Sequence, residues 1–132
     1  MTAFRLPSAT AVQAMHARLI ARDGGAPGLR DAGVLDAALA CPAQLAAYGG
    51  EGDEVALAVA VAFSIVRLRH PFVDGNKRVA LALLLVALGL NGWTLDAPEG
   101  ETAAVLLDVA AGGREEAAFV AWVRARAVPA GD

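Results

Sequence analysis

Nine consecutive residues, His70-Pro71-Phe72-Val73-Asp74-Gly75-Asn76-Lys77-Arg78, gather a histidine, a carboxylate, an amide and two cations around one glycine. Histidine changes charge near neutrality, so His70 can take a proton from an attacking hydroxyl, an effect worth roughly 10²–10⁴ in rate. Asp74 is a hard oxygen ligand of the kind Mg²⁺ takes, with phosphate oxygens and water filling its remaining positions. Gly75 permits a sharp turn, so the N–H groups of about Gly75 to Arg78 can point outward as an anion nest at the positive end of a following helix. Asn76 can fix the loop or hydrogen-bond a phosphate oxygen. Lys77 and Arg78 oppose phosphate charge, one as a point charge and the other as a planar fork. The chemistry these residues suit is transfer of a phosphate-bearing group to a hydroxyl.

Taken singly, each residue has a plainer use: Asp74 as a helix N-cap, Phe72 as core, Lys77 and Arg78 as solvated charges. What sets them apart is their concentration in a chain otherwise poor in polar clusters. Lys77 is moreover the only lysine among eleven basic residues, a weak pointer in the same direction.

The elements around this segment read as helices. Ser8-Ala9-Thr10 can cap a first helix over about 11–22, with Val12, Met15, Leu19 and Ile20 on one face and Gly24-Gly25 stopping it. His16, at the edge of that face, reads as a partly buried or surface histidine, because no cysteine or carboxylate accompanies it at ligand spacing. A turn over 24–28 leads to Asp31, which starts a second helix carrying Val34, Leu35, Ala38 and Leu39 until Pro42 bends or ends it. Beyond a glycine-rich stretch around 48–52, Asp53 caps a third helix over about 54–68, apolar nearly all round. Lys77 or Arg78 begins an equally apolar helix that runs to Leu90, where Asn91-Gly92 ends it. Trp93-Thr94-Leu95 is a short extended link. Asp96-Ala97-Pro98-Glu99 opens a helix that closes at Gly112-Gly113, and a last amphipathic helix spans about 115–128 with Phe119, Trp122 and Val123 inward. Two central apolar helices therefore flank the polar loop, in a single domain over 1–132.

Composition agrees with this reading. Of 132 residues, 57% are hydrophobic but only 5% aromatic, and Ala and Leu dominate the apolar runs, which favours an all-α core over a sheet. A net charge of −3 leaves no basic excess to neutralise a run of nucleic-acid phosphates. The lone Cys41 excludes an intramolecular disulfide framework and reads as a small core residue. The start Met1-Thr2-Ala3-Phe4-Arg5 lacks a secretory layout, and the apolar run over 79–90 is about 18 Å long as a helix, too short to span a bilayer. The expectation is cytoplasmic, with no membrane contact.

The nine residues fit the pattern H-P-F-x-[DE]-G-N-[GK]-R and so resemble the Fic motif. Their surroundings are similar to the Doc (death-on-curing) branch of the Fic/Doc family, through Gly25-Ala26-Pro27-Gly28-Leu29-Arg30-Asp31-Ala32-Gly33-Val34-Leu35-Asp36 and the turn Leu90-Asn91-Gly92-Trp93. The likeness extends over about 6–127. It implies a compact Fic/Doc-type helical bundle that uses ATP and Mg²⁺, with His70 as general base, Asp74 as metal ligand, and Gly75, Asn76, Lys77 and Arg78 holding the nucleotide phosphates.

Two positions depart from the adenylylating Fic pattern: Lys77 stands for a second glycine and Leu81 for a second arginine. Doc-like members bind the nucleotide reversed and transfer the γ-phosphate, so the resemblance implies a kinase-type toxin of a toxin–antitoxin system. It further implies a threonine of elongation factor Tu as target, with translation arrested, and a Phd-like antitoxin whose flexible tail folds into a groove. The alternatives are transfer of AMP to a protein hydroxyl and a catalytically silent helical module that binds nucleotide or a partner. An internal inhibitory pattern [ST]-x-x-x-E-[GN] is not met, since Glu51-Gly52 follows Ala47 and Glu99-Gly100 follows Leu95 at the required spacing. Arg30 and Asp31 form either a second wall of the site or a helix start with Asp31 as cap. Arg67 and Arg69 either steer an acidic ligand or are solvated.

Overall fold

The computed structural model describes residues 4–47 and 53–131. The chain order is α1 (Ala9–Asp23), α2 (Ala32–Ala47), α3 (Glu54–Phe63), a π-helical turn (Ser64–Arg69), α4 (Asn76–Leu90), β1 (Trp93–Leu95), α5 (Glu99–Ala110), α6 (Glu116–Arg126) and β2 (Ala127–Pro129). The all-α expectation holds, the two three-residue strands being the only sheet among the described residues. The expected glycine-rich stretch over 48–52 lies outside those residues.

Capping explains where the helices begin. The Ser8 hydroxyl accepts from the Ala11 amide at 3.1 Å and the Asp53 carboxylate from Val55 and Ala56, each satisfying donors that a helix leaves free. Asp31 does the same for Val34 at 3.2 Å. The second helix does not stop at Pro42 but runs through it to Ala47. A proline removes one rung of the ladder, and the Ala-Gln-Leu-Ala-Ala beyond it is strongly helix-forming, so the helix resumes.

The core is built on α3, which packs against α2, α4 and α6. Val55 and every residue of the run Leu57, Ala58, Val59, Ala60, Val61, Ala62, Phe63 are buried. The partner helix α4 buries Val79, Ala80, Leu83, Leu84, Ala87 and Leu88, but Leu85, Val86 and Leu90 remain exposed, so its apolar surround is not fully enclosed. Each fully buried Val, Leu, Ile or Phe contributes roughly 1.5–3 kcal/mol. A frame of a dozen such side chains can hold a strained connection at its end, and the α3–α4 connection is one.

Three further expectations need correction. The third helix is α only to Phe63; its last six residues widen to π geometry. The last helix ends at Arg126, and Ala127–Pro129 pairs antiparallel with Trp93–Leu95 (Trp93 with Pro129, Leu95 with Ala127). Pro129 is the physical reason, because it biases Val128 away from helical backbone. Cys41 is half-buried rather than enclosed. Among the described residues no helix is long and apolar enough to cross a membrane.

Candidate active site

The π register decides where His70 sits. In an α-helix the His70 amide would bond the Val66 carbonyl; here it donates instead to Ile65 at 3.2 Å, one residue further back. In the widened register the next donor for Val66 would be residue 71, a proline without an N–H. Val66 is thus left without a main-chain partner, and the His70 ring fills the position, Nε2 lying 2.7 Å from the Val66 oxygen. A carbonyl only accepts, so Nε2 carries the proton and the neutral ring keeps its lone pair on Nδ1. To reach back in this way His70 takes left-handed backbone (φ 46°, ψ 65°), the only non-glycine residue with positive φ among those described. That conformation costs about 1–2 kcal/mol, an amount that a connection between two buried helices can sustain.

The rest of the loop is tied down carbonyl by carbonyl. Arg30 places its Nε 2.8 Å from the His70 oxygen and an Nη on the Arg69 oxygen, while the Arg30 amide donates to Pro71 at 2.7 Å. Asn76 clamps Phe72 from both sides, its Oδ1 accepting the Phe72 amide at 3.0 Å and its Nδ2 donating to the Phe72 carbonyl at 2.9 Å. The Val73 amide donates to Gly28 at 3.1 Å, and Leu29 and Phe72 form an isolated antiparallel bridge. His16, 3% exposed, stacks on Phe72 with centroids 3.9 Å apart and donates from Nε2 to the Asp74 carbonyl at 2.7 Å.

Asp74 does not cap α4; that position falls to Gly75, in left-handed backbone at φ 77°. The Asp74 carboxylate accepts from the Ala26 amide at 3.1 Å and from the Gly75 amide at 2.7 Å. These two amides, with Arg78 and Lys77 adding charge, hold its carboxyl below the usual aspartate range, so it is ionised at neutral pH. Of the expected nest, the Gly75 amide is therefore already taken. The amides of Asn76, Lys77 and Arg78 are the orphan donors of the helix start, with no side-chain cap on them. Arg78 is partly committed too, Nη1 donating to the Gly24 carbonyl at 2.8 Å.

These groups meet in a cleft of about 220 Å³ lined by Val66, His70, Val73, Asp74, Gly75, Asn76, Lys77 and Ala110. All of the sequence-predicted site residues except Arg78 line it, and Arg78 borders an adjoining groove with Leu81, Leu19, Arg22 and Glu99. Small-molecule sites run to about 300–1,000 Å³, so the cleft has room for the reacting end of a nucleotide rather than the whole. Asp74 is the one carboxylate in it; among the described residues no three His, Cys, Asp or Glu side chains gather as a metal cage. A single ionised carboxylate suits Mg²⁺ that is shared with phosphates.

Comparison with protein families matches residues 6–88 to the Fic/DOC family, a stretch that takes in the motif loop, all of α3 and α4 up to Leu88. The chain belongs to the Fic/DOC family. Members are typically transferases that act on proteins and use nucleotides such as ATP. No curated protein matches the chain. Ala110, on the far wall of the cleft, comes from α5, outside the Fic/DOC match.

Of the two readings of Arg30 and Asp31, each residue takes one: Arg30 bonds the motif loop and Asp31 caps α2, while sequence reasoning missed the rest of the α1–α2 connection as part of this Fic/DOC site. Gly24, Ala26, Gly28 and Arg30 all bond the motif loop. The signal was present in the cluster Gly24-Gly25-Ala26-Pro27-Gly28, which supplies three positive-φ glycines, Gly24, Gly25 and Gly28. His16 was also undervalued, although it falls four residues from both Val12 and Ile20 on the buried stripe of α1. Arg67 neither steers nor is solvated: it is three-quarters buried, bonding the Val109 and Arg114 carbonyls and pairing with Glu115.

Proposed function

We propose that the protein is a Doc-like kinase-type transferase that moves the γ-phosphate of ATP to a protein hydroxyl. The carrying observation is the ring of His70, tied through Nε2 to the Val66 carbonyl, in one cleft with the ionised Asp74 and the orphan amides at the start of α4. Nδ1 of His70 takes the proton of the acceptor hydroxyl as its oxygen bonds to the γ-phosphorus. The bond from that phosphorus to the β–γ bridging oxygen breaks, and ADP leaves. The amides of Asn76 to Arg78, with Lys77, hold phosphate oxygens at the positive end of α4. Asp74 would hold Mg²⁺, which when bound would supply charge against the phosphates.

Leu81 favours phosphate over AMP transfer. It is half-buried against the core and leaves a hydrocarbon, not a guanidinium, beside Arg78 in the adjoining groove. Lys77 adds bulk and charge where adenylylating Fic proteins have a second glycine. The acceptor, by the same resemblance, is a threonine of elongation factor Tu, and the consequence is arrest of translation in the cytoplasm. By the same resemblance the partner is a Phd-like antitoxin tail, and a groove of about 630 Å³ lined by Met15, Arg18, Leu19, Ala21, Arg22 and Ala82 supports an acidic amphipathic segment through its apolar floor and arginine rim.

The test incubates the protein with a bacterial extract and ATP labelled at the γ- or the α-phosphate. Label from the γ-position alone should reach a protein, adding about 80 Da, the mass of one phosphoryl group. His70→Ala should lower that transfer by on the order of 10²-fold or more. Transfer of α-label without γ-label would replace this reading with adenylylation.

A further inference from the structure

The turn that brings His70 back over the π-helical end is held from outside the motif. Three successive carbonyls, those of Arg69, His70 and Pro71, need donors as the chain reverses into the loop, and the Asp31 amide reaches only the Pro71 oxygen, at 3.3 Å. One residue of the α1–α2 connection meets all three: the Arg30 guanidinium takes the first two and the Arg30 amide the third. A guanidinium is suited to this, because its rigid planar fork presents several N–H groups at fixed spacing and stays charged. The two carbonyls it holds lie on either side of the His70 backbone, the one left-handed non-glycine residue described.

We propose that Arg30 is a positioning residue for His70: by fixing the Arg69 and His70 carbonyls it keeps the chain in the turn from which the imidazole reaches the Val66 oxygen. The π register frees that oxygen, Pro71 ensures that no amide reclaims it, and Arg30 locks the backbone that carries the ring to it. Arg30 thereby selects which ring nitrogen is left bare in the cleft. The inference rests on the reading of His70 as the base. Its effect on geometry is measured without that reading.

Arg30 is exposed, so its replacement leaves the core intact. The chain has two histidines, and each holds a ring N–H on a backbone carbonyl, His70 on Val66 and His16 on Asp74. Proton spectra at low temperature should show both as low-field, slowly exchanging ring signals, assigned by the loss of one in His70→Asn. In Arg30→Gln the His70 signal should disappear while the buried His16 signal persists, and Arg30→Lys, with one donor group in place of a fork, should fall between. Transfer by Arg30→Gln should show kcat lowered by on the order of 10- to 100-fold with the nucleotide KM unchanged, the scale expected when a reacting group is misplaced by about an ångström. In a His70→Ala background the same change should have no further effect.

A His70 signal unchanged in Arg30→Gln, or absent from the parent, would overturn the proposal. So would simultaneous loss of both histidine signals, since Arg30 would then hold the loop as a whole and not the ring. Full transfer by His70→Ala would instead remove the base while leaving the ring measurement standing.

Discussion

Removing the Asn76 side chain separates holding the loop from holding a phosphate. Its amide makes two hydrogen bonds, both to Phe72. Each contributes about 1 kcal/mol net, and a buried amide left unpaired costs about 1–3 kcal/mol more. Phe72 is 2% exposed, so water cannot easily replace the lost partner. Asn76→Ala should therefore destabilise the protein by about 3–4 kcal/mol, which for a chain of this size is a fall in melting temperature of roughly 10–15 °C. Asn76→Asp sharpens the test. It keeps the acceptor for the Phe72 amide but sets a carboxylate oxygen against the Phe72 carbonyl where a donor stood, so the loss should be at least as large at neutral pH and should shrink as the new acid is protonated. Thermal melts and denaturant midpoints at unchanged m-value measure both variants. A melting temperature within about 2 °C of the parent's, with nucleotide use abolished, would refute the reasoning and make Asn76 a ligand group only.

The α1–α2 connection carries two further expected outcomes. The folded-state pKa of Asp74 is depressed, first by the Ala26 amide and then by Gly75, so its stabilisation is fully present above the ordinary value of 3.8 and is lost as pH falls through the lower folded value. Melting curves of the parent and of Asp74→Asn should thus differ by a constant amount from neutrality to about pH 5 and converge below pH 4; a gap unchanged at pH 2–3 would show that the carboxylate is not held. Gly25→Ala places a Cβ at φ 116°, 2.8 Å from both an Asp74 oxygen and an Arg78 nitrogen. It should cost about 1–3 kcal/mol in backbone strain alone and lower ATP affinity from a position far in sequence from the motif, as calorimetric titration and melting would reveal; wild-type affinity would mean that the two loops act independently.

The helical frame was legible because periodicity and caps are local: Ser8, Asp31 and Asp53 each bond amides within three residues. The widened turn after Phe63 was not, because Ser64–Arg69 is as apolar and helix-forming as an α-helix would be. Its register is decided by residues beyond its own end, namely the left-handed His70, a proline without a donor, and Arg30 from another connection. The strand pair was hidden for a similar reason, its two halves lying more than thirty residues apart.

The chemistry of the site divides along the same line. Residue types within nine positions were enough to nominate a base, a metal ligand and a phosphate cradle, since those are properties of side chains. How each is aimed is a property of the carbonyls around it. Val66 receives the His70 ring, Phe72 the Asn76 amide, and Asp74 His16, while Arg30 covers Arg69, His70 and Pro71. The backbone groups of a polar loop need partners, and the protein donors that supply them here also orient the loop. Half of those donors stand in α1 and the α1–α2 connection, which is why a motif read alone gives the reaction class and the structure is needed to give the geometry.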